Sequence, residues 1–435
     1  MQASRAHVAL RQQKVRPLRV CVIDPKPWLS MWRSRFESLE IHWLRSPAVA
    51  HPDIFDAFSL QSFAMTQGRE GELLDSGAAD SKDVRGLFEV SGGAWRLPSN
   101  ALFQDFCNEL IGRLPHHFHK GNVEDIQGSD GNFTIVTDDG STLTSAAVVL
   151  ALGVPGLRVM PAALAQLPEH LTFHTEEVER LAALLPSQRV LVIGGGLTAI
   201  QAAQLAHRRG CQVVLCSRRP LTTRHFDVDV KWFDRRRALG CHFEFLSLPS
   251  EERVRMIKET RGGGSVPHLY MEDLKARAAA GGLEVVCGEV EAVSHDSTIF
   301  QARIDGKLLS FDMAISACGH RPQCTSLSLV NGLQKRFPVP LAGGLPVLTQ
   351  DLQWGSLSKL FVIGALAALQ VGPDAGNLMG LRRAAHVVAI TLDLRCWLKD
   401  TGSVVGNIRG NQYAALAALS DLDTDDDTTD GTTEL

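Results

Sequence analysis

Residues 190–219 read Val-Leu-Val-Ile-Gly-Gly-Gly-Leu-Thr-Ala-Ile-Gln-Ala-Ala-Gln-Leu-Ala-His-Arg-Arg-Gly-Cys-Gln-Val-Val-Leu-Cys-Ser-Arg-Arg, and this stretch decides the fold class. The apolar run Val190–Ile193 ends in Gly194, Gly196 and Ala199. An alanine-rich amphipathic run follows, and a β-branched run, Val213–Cys216, closes the unit. Strand, glycine turn, helix and strand in that order form a dinucleotide-binding fingerprint. Gly194 permits the tight turn, and Gly196 lets the backbone approach a pyrophosphate. Ala199 keeps the helix close to the sheet, while the helix N-terminus offers unpaired N–H groups to the anion. Thr198 either donates to a phosphate or simply occupies the first helical turn.

The end of the second strand selects the nucleotide. A chain that reads NAD carries Asp or Glu there for the ribose hydroxyls; this one has Ser217, Arg218 and Arg219. Cations suit a 2′-phosphate, so the expected ligand is NADP(H), with a solvated basic turn as the plain alternative.

The chain has 435 residues, enough for two or three domains and a large core. Residues 421–435 hold seven acids and no base, so the net charge of −4 becomes +3 without them. That balance gives no global nucleic-acid surface, and the Thr/Asp-rich tail, 418–435, is expected to be disordered. The nine cysteines are scattered with no Cys-x-x-Cys pair. They read as thiols of a reducing, cytoplasmic compartment, and their spacing argues against dithiol–disulfide chemistry. No apolar run is long enough for a membrane span. The first 23 residues contain five bases and no acid, which a transit peptide or the end of a helix would explain.

Arg19–Asp24 is expected to be a short buried strand ending in an acid, preceded by helical spacing over 3–15. Helix, strand and acid form the second half of another dinucleotide unit, with Asp24 where a ribose-binding carboxylate would fall. No glycine precedes Gly68, so its first strand and glycine loop are missing. Residues 28–75 look irregular. A helix is predicted over Ala101–Leu114, then strands at Gly121–Gln127, Asn132–Thr137 and Thr142–Leu152 as an antiparallel meander feeding Ala147–Leu152. A polar, mostly helical stretch, 220–280, contains a flexible Gly262-Gly263-Gly264. Strands resume at Leu283–Cys287, Glu289–Val293, Ile299–Ile304 and Phe311–Ala317. Lys359–Gly364 is predicted as a strand, Ala365–Asn377 as a glycine-rich loop and Leu378–Ala389 as a helix.

Three segments together resemble a known family. Ala151-Leu152-Gly153 looks like the linker leaving the FAD domain of two-dinucleotide flavoproteins. Ala317-Cys318-Gly319-His320-Arg321-Pro322 resembles its counterpart leaving the NADP domain. Leu360–Ala367 with Gly372–Asn377 looks like the C-terminal flavin-binding segment. With Leu44–Pro47 and Arg96–Ser99, the ensemble is similar to flavin- and NADPH-dependent monooxygenases of the lysine/ornithine N-hydroxylase-like branch. The departures are the missing FAD glycine loop, Leu152 in place of the linker Thr, and Ala365 where Asp is often found. Either Met1 is an internal start in a longer gene, which the intact strand and Asp24 favour, or tight FAD binding has been lost.

The resemblance implies an α/β fold with two three-layer Rossmann-like domains, the NADP domain inserted into the FAD domain. The expected boundaries are 1–158 and 330–400 for FAD and 186–325 for NADP. It implies FAD and NADPH as cofactors and an NADPH-dependent monooxygenase that acts through a C4a-hydroperoxyflavin on a soft nucleophile such as an amine, with O₂ as co-substrate. The alternatives are an NADPH:acceptor reductase and a non-catalytic NADPH-binding remnant. It assigns Asp24, Arg45, Val123, Gly364 and Asn377 to the flavin, with helix capping an equal role for Asn377. No catalytic acid, base or nucleophile stands out, as expected where a cofactor carries the chemistry. His116, His117 and His119 lack a partner at metal-ligand spacing and read as a polar surface turn, so no metal is expected. His320 and Arg321 either approach the nicotinamide nucleotide or form a strand-end turn.

Overall fold

The computed structural model describes residues 19–54, 56–75, 95–113, 116–154, 156–232, 235–296 and 298–392. The helix expected over 3–15 and the acidic tail lie outside them. Strand β1 (Cys21–Asp24) runs parallel to β4 (His117–Lys120), pairing Cys21 with His117 and Asp24 with Lys120. The histidines expected in a surface turn therefore sit on or beside a strand. The predicted burial of β1 is also corrected: Cys21 and Asp24 are exposed and the two residues between them half-buried. Among the described residues β4 is its only strand neighbour, so one edge of β1 carries no ladder partner.

The segment expected to be irregular contains helices α1 (Ser30–Ser38) and α2 (Ser59–Thr66). They form because Trp32 and Phe36, four apart on α1, stack at 4.2 Å, and Trp32 also meets Phe103 at 5.3 Å. Phe103 belongs to α3 (Asn100–Arg113), which buries Leu102, Phe106 and Cys107 against Leu60 and Ala64 of α2. Tertiary packing thus overrides weak local helix signals. Between α2 and α3, β2 (Leu73–Leu74) pairs antiparallel with β3 (Leu97–Pro98).

The meander is present as β5 (Val123–Ser129), β6 (Asn132–Thr137) and β7 (Thr142–Ser145). Its chain turns at Ser145, whose Oγ accepts from the Ala147 N–H, and enters β8 (Val148–Leu150). From Leu150 the chain leaves for a second body through β9 (Gly156–Arg158). It returns through β18 (His320–Pro322), which pairs antiparallel with β9.

Between these crossovers lies a five-stranded parallel sheet in the order β10-β17-β11-β12-β13. Its strands are β10 (Thr172–His174), β11 (Arg189–Ile193), β12 (Gln212–Ser217), β13 (Leu283–Cys287) and β17 (Met313–Ser316). Helix α4 (Val178–Ala182) follows β10, and α5 (Leu197–Arg208) links β11 to β12 with Ala199, Ala202, Ala203 and Ala206 fully buried. The polar stretch supplies α6 (Arg235–Ser247), α7 (Ser250–Arg261) and α8 (His268–Ala280). The other face of the sheet is covered by an antiparallel sheet of β14 (Val290–His295), β15 (Phe300–Ile304) and β16 (Lys307–Phe311), with Phe300 stacked on Phe311 at 5.4 Å. The single strand expected over 311–317 is two strands. Asp312 divides it, exchanging hydrogen bonds with Arg189 so that the chain passes from the hairpin into the parallel sheet.

After β18 come α9 (Ser328–Arg336), the hairpin β19 (Leu341–Ala342) and β20 (Leu345–Pro346), and β21 (Gln353–Trp354). Strand β22 (Leu357–Val362) then runs parallel to β8, so distant parts of the chain share one sheet. The predicted glycine-rich loop is a 3₁₀ turn, Gly364–Ala367, followed by helix α10 (Ala368–Val371). It is held by a buried ion pair from Arg383 of α11 (Leu378–Thr391) to Asp374. Helix α11 passes so close that a Cβ on Gly380 would lie 2.2 Å from the Asp374 carbonyl oxygen. No helix among the described residues is long and apolar enough to cross a membrane.

Three buried imidazoles make this fold acid-sensitive. Burial pushes His51, His225 and His242 down to about 4, and each also feels an arginine: Arg382, Arg45 and Arg383 respectively. They remain neutral in the fold to about pH 4, whereas the unfolded chain protonates them near 6.5. Stability is therefore complete above about pH 6.5 and lost as pH falls toward 4, by on the order of 1–2 kcal/mol per imidazole at pH 5. The urea midpoint should drop between pH 7.5 and pH 5, and drop less in His242→Leu. Equal midpoints at the two pH values would refute this.

Candidate dinucleotide-binding site

The fingerprint turn is built where β11, β12 and β17 end. Gly194 has φ 154°, and a Cβ there would lie 2.5 Å from the Ala317 carbonyl oxygen and 3.0 Å from the Ala199 Cβ. At Gly195 a Cβ would meet the Ser217 Oγ at 2.5 Å, a side-chain contact where Gly194 meets backbone. At Gly196 it would meet only the Gly264 Cα, at 3.8 Å, an ordinary van der Waals contact. Among the described residues, the Gly195 and Gly196 amides have no backbone acceptor. Thr198 is exposed on the first turn of α5, whereas Ala199 is fully buried beneath it.

This turn forms one wall of a cavity of about 890 Å³. Arg218 and Arg219 stand on the same wall, exposed, and Ser217 Oγ donates to the Arg219 carbonyl at 2.8 Å. Neither guanidinium has an acidic partner among the described residues. The first part of the chain also lines it, with Arg35, Phe36, Trp43 and Arg45. Five arginines (Arg35, Arg45, Arg218, Arg219, Arg261) face two acids, Glu176 and Asp227. Arg35 and Arg261 are paired with those acids at 2.7 and 2.9 Å, so the surplus positive charge rests on the other three. Such a cavity selects a polyanion.

Arg45 lies between the two bodies. Its guanidinium donates to the carbonyls of His225, Ser265 and Arg224 at 3.0–3.3 Å and to the Ser265 Oγ at 2.6 Å. Burial lowers its pKa to about 10; Asp227 opposes that shift, while Arg224 and Arg261 add to it. Asn377 stands at the N-cap of α11, but its side chain makes no capping bond and donates to Asp227 Oδ1 at 3.0 Å. Arg45, Asp227 and Asn377 border a second cavity of about 110 Å³, with Pro47, Trp95 and Phe226 among its apolar walls. Gly364 lies at φ 77°, where a Cβ would be 3.9 Å from the Gly153 carbonyl oxygen, so the turn after β22 lies beside the linker turn after β8. Asp24 is exposed at the end of β1 and accepts from the Lys26 N–H at 2.8 Å; Val123 opens β5 and packs on the core that holds β8 and β22. Asp24 and Val123 do not line the large cavity.

Sequence reasoning overlooked Glu176. It follows β10 and receives Arg35 from α1, Arg158 at 3.1 Å from β9, and His320 at 3.1 Å from β18. Burial raises its carboxyl, but the His320 hydrogen bond and the cations around it outweigh this and hold it below the usual carboxylate range. His174 stands beside it at ring distance 5.0 Å from His320 and is pushed down by burial and by that neighbour. The three groups have a metal-like spacing, but the carboxylate is committed to two arginines, which disfavour a cation. No local pattern around Glu176 announces this role.

Two sheet systems joined by paired crossovers, with a glycine turn facing a shared cavity, define a two-domain dinucleotide-binding fold of Rossmann type. The comparisons agree. A family model described as pyridine nucleotide-disulphide oxidoreductase matches residues 76–245. The chain is similar in structure to the FAD-bound cadaverine monooxygenase of desferrioxamine biosynthesis from Erwinia amylovora, with TM-score 0.64, 15% identity, and 99% of this chain and 97% of that one covered. It is also similar to an ornithine N-hydroxylase from Kutzneria sp. 744 (TM-score 0.63, 14% identity, 87% and 100% covered). L-lysine 6-monooxygenase from Pseudomonas syringae gives TM-score 0.60 at 19% identity, with 90% and 95% covered. No curated protein matches the chain by sequence.

Replacing Arg45 with Ala should destabilise the protein by about 2–4 kcal/mol, because it strips donors from partly buried carbonyls. Chemical denaturation measures this, and a loss below 0.5 kcal/mol would show that the tie carries no weight.

Proposed function

We propose that this chain is an FAD- and NADPH-dependent oxidoreductase that hydroxylates a primary amine. The observation that carries the reading is the large cavity, lined by the glycine turn, by two arginines without an acidic partner among the described residues, and by the first part of the chain. The shared fold with amine monooxygenases supports it.

The residues present suit NADPH. Gly194, Gly196 and the start of α5 at Thr198 and Ala199 would hold the pyrophosphate, since the turn carries no side chain at 194–196 and, among the described residues, its Gly195 and Gly196 amides have no backbone acceptor. Arg218 and Arg219 would take the 2′-phosphate. For FAD, the exposed carboxylate of Asp24, the backbone of Val123, the gap between Gly153 and Gly364, and Asn377 would contribute, with Arg45 joining the two sites. The flavin, when bound, supplies hydride acceptance and oxygen activation. The protein's part is to position and to shield. Phe36, Leu39, Ile41 and Trp43 add apolar surface to the lining that would shield one side of a bound cofactor from water.

NADPH should bind more tightly than NADH. The double variant Arg218→Ala, Arg219→Ala should lose tenfold or more in NADPH affinity, since a charge-assisted pair contributes roughly 1.5–3 kcal/mol. Equal calorimetric affinities for the two nucleotides in the unsubstituted chain would overturn the assignment. With FAD supplied, aerobic NADPH oxidation should yield hydroxylated product from ornithine, lysine or cadaverine, and hydrogen peroxide in their absence. Anaerobic oxidation with a quinone, with neither peroxide nor hydroxylated amine in air, would instead identify a reductase.

A further inference from the structure

We infer that Gly262-Gly263-Gly264 forms a preorganised backbone arch that completes the pyrophosphate cradle, with Gly264 as a positioning residue for the nucleotide. The inference rests on the NADPH reading above and extends it to a loop that sequence reasoning treats as merely flexible.

The three glycines adopt φ of 64°, 74° and 124° in succession, a path that a chain with side chains would not follow without strain. Both ends are fixed. On one side Gly262 closes α7, its N–H donating to the Lys258 carbonyl at 3.0 Å. The Arg224 guanidinium donates to the Thr260 and Arg261 carbonyls at 3.1 and 2.6 Å. On the other side Arg45 grips Ser265 through its carbonyl and Oγ, and Val266 exchanges backbone hydrogen bonds with Thr222 and Arg224. Pinned in this way, the loop is an arch rather than a free flap.

Its crown lies against the fingerprint turn. A Cβ on Gly264 would sit 3.2 Å from the Gly196 Cα and 3.3 Å from both the Gly195 carbonyl oxygen and the Gly196 nitrogen. A Cβ on Gly263 would meet only the Arg219 Nη1, at 3.9 Å. Among the described residues the Gly263 and Gly264 amides have no backbone acceptor, as is true of Gly195 and Gly196, and all four glycines line the same cavity. Two stretches of side-chain-free backbone therefore meet edge to edge beneath the surplus positive charge of Arg218 and Arg219. A diphosphate resting on the turn would take donors from both. A side chain at 264 would push the two stretches apart by a few tenths of an ångström and break that shared surface.

The test compares Gly264→Ala with Gly263→Ala; both sit at positive φ, Gly264 farther from the left-handed helical region (124° against 74°), and only Gly264 has the collision, so the contrast between the two probes separates lost diphosphate contacts from strain. NADP⁺ and adenosine 2′-monophosphate serve as probes, the second carrying the 2′-phosphate without the pyrophosphate. Gly264→Ala should weaken NADP⁺ about tenfold, the effect of losing one charge-assisted hydrogen bond. It should leave adenosine 2′-monophosphate unchanged, and Gly263→Ala should cost NADP⁺ about threefold or less. Equal affinities in both variants, or equal loss for both probes, would overturn the arch. Should Gly264→Ala fail to fold, hydrogen exchange of the unsubstituted chain decides. Amides within 258–268 should be protected by NADP⁺ and not by adenosine 2′-monophosphate; no added protection by NADP⁺ would overturn the arch. If adenosine 2′-monophosphate fails to bind the unsubstituted chain, the nucleotide reading itself falls.

Discussion

The structure depends on one close approach, the backbone of Gly194 against the Ala317 carbonyl and Ala199. Strand β11 lies at the centre of the parallel sheet, between β17 and β12. Helix α5 can follow it over the sheet only if the turn is tight, and a single methyl group at Gly194 would collide with the exit of β17. The alanines that face the sheet from α5 extend the same constraint along the helix, keeping its axis near the strands. In the turn itself the Gly195 and Gly196 amides have no backbone acceptor among the described residues, whereas the Ala199 amide of α5 is already bonded to the Gly196 carbonyl. Packing and binding thus share one geometric cause.

The two bodies are then tied across this cavity chiefly by arginines. Arg45 reaches from the first part of the chain to three carbonyls of the inserted part, Arg261 reaches the Pro373 carbonyl, and Arg35 reaches Glu176. Arg253 likewise donates to the Leu369 carbonyl beside α10. Guanidinium groups suit this work because each planar fork satisfies several acceptors at once and stays charged when partly buried. The same choice leaves the cavity positive. A polyanion in such a cavity would offset repulsion among these cations.

Much of this was legible in the residues themselves. The strand, glycine turn and helix of 190–208 could be placed because an uninterrupted apolar run, three glycines and a helical period agree. Helix α11 and the meander were readable for the same reason. The segment 28–75 was not, since Trp32 and Phe36 stabilise α1 through Phe103, seventy residues away in sequence. The strand over 311–317 was misjudged at Asp312, whose partner Arg189 belongs to another strand. At the site, Arg218 and Arg219 were visible as an exception at a known position, whereas Glu176 had no such frame: its partners come from α1, β9 and β18.

The sequence by itself determined the α/β class, the glycine turn and the charge at the end of β12, because each depends on neighbours within about thirty residues and on steric rules of the backbone. Only the tertiary structure decided that β8 and β22 share a sheet, that Arg45 is engaged by the inserted domain, and that Gly262–Gly264 lies against Gly195 and Gly196. These contacts join residues far apart in the chain. Their energies arise from burial and from hydrogen-bond acceptors presented by other elements, which no local pattern encodes.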